Sequence, residues 1–165
     1  MENDSLLRTN RELAEMYERN VSRIYKLSYI YLRNPADAED AVQSVFLKVL
    51  QSNVDFNDYE HEKAWFITIT KNHCKDILKS WWKRKRVDLE KLPEIASNDE
   101  YIQEREIIEK LLALPEKYRV VLYLYYLEDY SVKEISELLV RNESTIRSQL
   151  QRGRDRLKNN LNVGR

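Results

Sequence analysis

Residues 131–157 read SVKEISELLVRNESTIRSQLQRGRDRL, and this stretch decides the fold of the second half of the chain. Ser131 is followed three residues later by Glu134, the spacing of a capping box, in which each side chain satisfies a free backbone amide at a helix start. Apolar residues then recur at helical spacing up to a connection of three or four residues, after which a second helix begins near Glu143. Two helices joined so tightly cannot lie side by side, so the stretch predicts a helix-turn-helix.

The second helix of this pair has two different faces. On a wheel at about 100° per residue, the residues that fall in one narrow, buried arc are Ile146, Leu150, Gly153, Leu157 and Leu161. The residues that face the other way near the helix start are Ser144, Arg147, Ser148, Gln151 and Arg152. Arginine and glutamine can bridge two atoms of a base edge, so we predict that this face reads the major groove of DNA and that Arg154, further along, contacts phosphate. The alternative is a solvated basic face on an ordinary packing helix.

The charges of the chain are sorted into blocks, although lysines plus arginines equal the acids at 28 each. Residues 1–62 carry a net charge of −5, residues 63–86 of +7, residues 87–140 of −7 and residues 141–165 of +5. A solvated surface usually mixes its signs, whereas two separate cationic blocks are typical of a protein that holds a polyanion at two places.

The first cationic block coincides with a predicted helix at residues 63–86. Its lysines recur every fourth residue and are predicted to face outward: Lys71, Lys75, Lys79 and Lys83. Like charges at this spacing destabilise a helix by roughly 0.2 to 0.5 kcal/mol per pair, so folding alone does not favour them. Their spacing of about 6 Å along the axis is comparable to that of phosphates on a DNA strand. Beside the row, Trp65, Thr68 and Asn72 could stack on and hydrogen-bond an unstacked base; Trp65 could equally be a core aromatic.

The helix predicted at residues 37–51 has an exposed patch. Leu47 lies outside the apolar arc, together with Asp40 and Gln43, while Leu50 is predicted to be buried. An apolar side chain surrounded by polar groups resembles the centre of a protein interface, although a single exposed leucine is also normal.

Composition predicts an all-α protein, because glycine and proline are scarce, at two and three residues. We predict two small helical domains, at residues 1–86 and 104–165, joined by a flexible acidic linker at residues 87–103. The helices expected besides those already described are residues 6–32, 104–113 and 116–127. Cys74 is the only cysteine and no apolar run approaches a membrane span, so we expect a cytoplasmic protein without membrane insertion of its own.

Three segments, in order, resemble the extracytoplasmic-function (ECF) subfamily of bacterial RNA polymerase sigma factors. Asp37 to Leu47 is similar to the family's core-polymerase-binding motif. Ala64 to Leu78 is similar to its helix for the minus-ten promoter element, and Ser144 to Arg154 to its minus-thirty-five recognition helix. The likeness spans nearly the whole chain, with the linker where this subfamily lacks the third sigma domain.

The resemblance implies a function in promoter-specific transcription initiation, with core RNA polymerase and promoter DNA as partners and an anti-sigma protein as a further one. It implies that Asp37, Asp40, Gln43 and Leu47 form the polymerase-binding surface. It also implies that Trp65, Thr68, Asn72 and Lys79 hold melted minus-ten DNA, and we expect Lys71, Lys75 and Lys83 of the lysine row to bind the same element. It implies further that Arg147, Ser148, Gln151 and Arg152 read the upstream element. Two residues depart from the family pattern in the turn of the helix-turn-helix: Val140 stands where glycine is common, and Arg141 where an apolar residue is common.

Two other classes of function fit less of the chain. A repressor or activator that binds duplex DNA unaided explains the C-terminal half but gives the lysine row and Leu47 no role. An enzyme is disfavoured, because His73 and Cys74 are adjacent on a helix and point different ways, which suits neither a zinc site nor a nucleophile with its base. We therefore expect no catalytic residue, no metal and no cofactor.

Overall fold

The computed structural model describes residues 8–84 and 102–163, with side chains at residues 8–82 and 105–160. Within these residues the chain is helical and contains no strand, which confirms the all-α prediction. The helices are α1 Asn10–Leu32, α2 Pro35–Gln51, α3 Tyr59–Arg84, α4 Ile102–Leu112, α5 Glu116–Tyr126, α6 Val132–Leu139 and α7 Glu143–Val163. The chain divides into two compact units, Met1–Lys91 and Leu92–Arg165.

In the first unit, α1 packs against both α2 and α3. Local sequence sets the helix ends. Thr9 and Glu12 form a capping box at the start of α1, and Asn34 caps α2 just before Pro35, whose fixed φ suits a first turn. The apolar core between the three helices includes Met16, Ile24, Val42, Val45, Val49 and Phe66.

A buried polar group joins α1 to the start of α3. The carboxylate of Glu62 is buried and accepts a hydrogen bond of 2.6 Å from the amide of Asn20, which is itself fully buried. Arg19 donates to both oxygens of Glu62, at 3.2 Å each. Because a buried carboxylate is costly unless it is paired and hydrogen-bonded, these contacts fix where α3 begins relative to α1.

In the second unit, α5 is the central helix, since most of its side chains are buried and it contacts α4, α6 and α7. The capping box predicted at Ser131 and Glu134 is present and opens α6, which ends at Leu139 as expected. Helix α7 packs closely on α5 at Gly153, where an added Cβ would lie 2.9 Å from Leu122 Cδ1 and 3.2 Å from Tyr118 Cβ. The helix-turn-helix prediction is therefore confirmed.

Several helix boundaries differ from the prediction. Helix α1 begins at Asn10, after its cap. Helix α3 begins at Tyr59 rather than residue 63, because the carboxylate of Asp58 accepts a hydrogen bond of 2.8 Å from the His61 amide and caps the helix early. Helix α4 begins at Ile102, so it includes the last two residues of the predicted linker. Residues 87–101 of that linker lie outside the described residues.

Candidate nucleic-acid and protein-binding surfaces

The predicted reading face of α7 is on the surface. Ser144, Arg147, Ser148, Gln151 and Arg152 are all exposed, whereas Ile146 and Leu150 on the opposite side are buried. The five side chains therefore form one outward surface on the second helix of a helix-turn-helix, which is the element that enters the major groove in proteins of this type.

Arg147 is held by its neighbour on the same helix. Its guanidinium lies 3.1 Å from Glu143 Oε2, one turn earlier; the side chain of Arg147 is largely exposed and that of Glu143 partly exposed. An exposed ion pair of this kind contributes little to stability, about 0.3 to 0.5 kcal/mol, so a DNA base can replace Glu143 as the partner at small cost.

Arg154 lies against two tyrosines of α5. Its guanidinium carbon is 5.6 Å from the ring centroids of both Tyr125 and Tyr126, and its Nε donates to the Tyr126 hydroxyl at 2.5 Å. Arg154 is half-buried there. Its predicted contact with phosphate stays a prediction, but it has a packing role that the sequence did not indicate.

The turn between α6 and α7 carries a valine in a left-handed conformation. Val140 has φ 55° and ψ 55° and is 84% exposed. The amides of Val140 and Arg141 both donate to Ser136 O, which closes the end of α6. The guanidinium of Arg141 donates to Gln149 Oε1 at 3.0 Å, and this contact ties the turn to α7.

The lysine row of α3 does not face outward along its whole length, and the prediction that Lys71 faces outward is wrong. Lys71 is only 8% exposed, because it lies four residues after Ile67 and three before Cys74, which are both buried. Four residues turn a helix by about 400°, so each later lysine is rotated by about 40° away from the core. Lys75 is half-buried and Lys79 is exposed, while the side chain of Lys83 lies outside the described residues.

Trp65 packs on the core of the first unit. It is half-buried, and its ring lies 5.2 Å from that of Phe66 and 5.6 Å from that of Phe56. Near it on α3, Thr68 is half-buried and Asn72 is exposed. Trp65 was interpreted either as a core aromatic or as a side chain that stacks on a base. Its packing on the core is observed, and the exposed part of its ring remains accessible to a base.

The predicted patch on α2 is exposed and larger than expected. Leu47 is 56% exposed, Asp40 and Gln43 are exposed with it, and Asp37 is half-buried. Burial, followed by the nearby carboxylate of Asp40, raises the pKa of Asp37. Leu50 was predicted to be buried but is 60% exposed. The reason is that it follows Gln43 by seven residues, or about two turns, and so shares its outward side.

Sequence reasoning missed a cationic cluster around Tyr118. Lys117 Nζ is 5.0 Å and Arg156 Cζ is 5.1 Å from the Tyr118 ring centroid. Burial raises the pKa of this phenol, but Lys117, Arg152 and Arg156 together outweigh it, so that the pKa of Tyr118 is lowered. No local sequence signal could find this cluster, because it forms only when α5 and α7 pack together.

Two further observations concern the described part of the chain. None of its helices is long and apolar enough to cross a membrane. It also contains no group of three or more histidine, cysteine, aspartate or glutamate side chains that could hold a metal ion.

Comparison with known proteins identifies the family. Residues 16–85 match the family model for sigma-70 region 2, and residues 104–157 match that for sigma-70 region 4. The sigma factor SigV of Bacillus subtilis (strain 168) is 30% identical over 129 residues, which is 78% of each chain. The ECF sigma factor SigM of the same organism is 25% identical over 160 residues, covering 92% of this chain and 96% of the relative.

Solved structures share the fold. The sigma factor RpoE, solved in complex with the anti-sigma factor NepR from Bartonella quintana, has a TM-score of 0.74 at 20% identity, over 94% of this chain and 99% of that one. CnrH, solved in complex with the cytosolic domain of CnrY, has a TM-score of 0.64 at 17% identity, over 94% of this chain and 90% of that one. The chain therefore belongs to the ECF subfamily of bacterial RNA polymerase sigma factors, which direct promoter-specific transcription initiation and are not enzymes.

Proposed function

We propose that this sigma factor binds its partners through three surfaces. The first is the outward side of α2. Asp37, Asp40, Gln43 and Leu47 form the surface that binds core RNA polymerase. The exposure of Leu47 beside two polar groups supports this assignment, because an apolar centre with a polar rim is how protein interfaces are built.

The second surface is the outward side of α3, which holds the minus-ten element. Lys79 and Asn72 are exposed there, and Lys75, Thr68 and Trp65 are partly so. Lys83 continues the same row along the sequence. Lys71 is left out of this surface because its side chain is buried. Exposed cations beside an aromatic ring and an amide suit melted DNA, whose phosphates and unstacked bases need both kinds of contact.

The third surface is the outward side of α7, which reads the minus-thirty-five element through Ser144, Arg147, Ser148, Gln151 and Arg152. Arg154 contributes near the phosphate backbone. The single observation that carries the proposal is this face: five exposed side chains able to contact DNA on the second helix of a helix-turn-helix, opposite a buried apolar stripe.

An anti-sigma protein is a further proposed partner. The two solved relatives described above were each captured with a second protein, and in one of them it is an anti-sigma factor. The proposed site of action is the cytoplasm, where core polymerase and promoter DNA meet.

Run-off transcription with and without core RNA polymerase tests the proposal, together with a shift assay of the chain alone on the same duplex. Promoter-specific transcripts should appear only when core is present. Tight, sequence-specific binding of duplex DNA by the isolated chain would instead favour a repressor that acts unaided.

The variant Arg147→Ala tests the reading face within the same assay. We expect it to cost about 1 to 3 kcal/mol at one base position of the upstream element, because a bidentate base contact is lost. Lys110→Ala, at an exposed cation on α4, is the matched control. An equal loss on all DNA sequences would remove the base-reading role from Arg147.

A further inference from the structure

A network of hydrogen bonds joins α1 to the first turn of α3, and none of its residues belongs to the three surfaces proposed above. At its centre, the carboxylate of Glu62 accepts hydrogen bonds from the side chains of Arg19 and Asn20. We propose that this network is a positioning device, which fixes the rotation of α3 about its own axis and thereby aims the ring of Trp65 at a base of the melted minus-ten element. This inference rests on the proposed role of α3 in holding that element.

The buried side chains of Asn20 and Glu62 use all of their polar atoms. The amide nitrogen of Asn20 donates to Glu62 Oε1 at 2.6 Å and to Met16 O at 2.9 Å. The amide oxygen of the same side chain accepts a hydrogen bond of 2.8 Å from Arg23. Arg19 donates to both carboxylate oxygens of Glu62. A buried polar network in which all members are satisfied makes a core rigid and favours one arrangement of its helices.

The network also reaches the residue at which α3 begins. Arg23 donates to the hydroxyl of Tyr59 at 2.7 Å, and its guanidinium carbon lies 5.7 Å from the centroid of that ring. Tyr59 and Glu62 both lie in the first turn of α3, so α1 holds this turn at two points. Apolar packing is not directional, whereas hydrogen bonds weaken steeply when their angle or length changes. The two attachments therefore resist a rotation of α3 that the apolar core alone would allow.

Trp65 lies close to these attachments along α3. It follows Glu62 by three residues, which is a rise of about 4.5 Å along the helix axis. A rotation of α3 by about 20° would move a side-chain atom that lies about 6 Å from the axis by about 2 Å. A shift of that size moves an aromatic ring away from the face of a stacked base, so the contact of Trp65 with DNA depends on the rotation that the network sets.

The packing of Trp65 depends on the same rotation. Its ring is half-buried and lies 5.6 Å from that of Phe56, which belongs to the loop between α2 and α3. Because Phe56 is not part of α3, a rotation of the helix changes this contact and, with it, the part of the Trp65 ring that is exposed. The network therefore controls both the direction of the ring and its accessible face.

Stacking on Trp65 can be measured with a promoter selected with the wild-type holoenzyme. Its single-stranded minus-ten element carries 2-aminopurine, whose fluorescence changes on stacking, at each position in turn. One position should give a signal that Trp65→Ala removes, with a loss of affinity of about tenfold, the size of one contact between a base and an aromatic ring. Glu62→Gln keeps the shape of the side chain but removes its charge and presents a donor to Arg19. In the holoenzyme it should weaken the signal at the same position, with a loss of affinity of about threefold to tenfold.

Matched variants separate positioning from a general effect on the fold. Glu60→Gln, at an exposed carboxylate in the same turn, should change neither the signal nor the affinity. Arg19→Lys keeps the charge but loses the two-pronged contact, and should give a smaller loss of the same kind; its side chain is exposed, so it keeps the test decisive if Glu62→Gln does not fold. Binding of core polymerase, through α2 of the same unit, should be unchanged in a pull-down with each variant.

The double variant shows whether Glu62 acts through Trp65. In the Trp65→Ala background, Glu62→Gln should cause no further loss of affinity, whereas independent effects would add. Additive losses would overturn the proposal, and so would a Glu62→Gln holoenzyme that has a lower Tm but the stacking signal and affinity of the wild type. If Trp65→Ala itself changes neither measurement, the proposed role of Trp65 in the minus-ten surface fails together with this inference.

Discussion

Replacing Val140 by glycine should stabilise the second unit. Val140 ends α6 with φ 55° and ψ 55°, in the left-handed region that a β-branched side chain avoids. Such a conformation costs about 1 to 2 kcal/mol for a residue with a Cβ and almost nothing for glycine. The backbone hydrogen bonds from Val140 and Arg141 to Ser136 do not depend on the side chain and should remain.

Two opposing terms decide the size of the effect. The side chain of Val140 is 84% exposed, so its removal gives up almost no buried apolar area. Glycine also makes the unfolded chain more flexible, which costs about 0.5 to 1 kcal/mol. The expected net gain is therefore about 1 kcal/mol, or an increase in Tm of about 4 to 8 °C for a unit of this size.

The distribution of aromatic residues provides the assay. All three tryptophans, at positions 65, 81 and 82, belong to the first unit, so tryptophan fluorescence reports its unfolding, while far-ultraviolet circular dichroism reports both units. The transition assigned to the second unit should move to higher temperature and the fluorescence transition should not. Val140→Ala is the matched control, because it keeps the Cβ and should recover less than half of the gain. If glycine is no more stabilising than alanine, the left-handed conformation of Val140 carries no strain and the reasoning is wrong.

Two further outcomes are expected. Gly153→Ala should destabilise the second unit by about 1 kcal/mol. The clash of the new Cβ with Leu122 and Tyr118 costs about 1 to 3 kcal/mol, while the better helix propensity of alanine stabilises α7 by about 1 kcal/mol. A raised Tm in a thermal melt would show that Leu122 moves aside freely. Leu47→Glu should abolish association with core polymerase in a pull-down while the helical signal is retained, and Leu50→Glu, at a similarly exposed leucine on the same helix, should weaken it less. Equal losses from both changes would mean that Leu47 is not the centre of the contact.

Local signals predicted the helix-turn-helix well. The start of α6 follows from a hydrogen-bonded pair only three residues apart, Ser131 and Glu134, and the buried stripe of α7 follows from its period. Such features depend on neighbours in sequence, so no tertiary information was needed to find them. The same holds for Leu47, whose exposure follows from its place on the wheel of α2.

Features set by contacts between helices were missed or misjudged. Lys71 lies at the edge of the buried arc of α3, and only the packing of the other helices decides that it is covered. Glu62 lies just before the predicted helix at residues 63–86, but its carboxylate is buried and accepts hydrogen bonds from residues more than 40 positions away, Arg19 and Asn20. The cluster at Tyr118 likewise depends on two helices that are well separated in sequence.

The two exposed leucines of α2 have a consequence for the protein when it is alone. Leu47 and Leu50 are 56% and 60% exposed and lie about one turn apart on α2, so the unbound molecule exposes an apolar surface patch to solvent. Such a patch favours self-association at high protein concentration. A protein that binds and covers the patch raises the free energy of unfolding of the first unit by mass action. We therefore expect purified samples to stay dispersed at higher concentration once a binding partner is added.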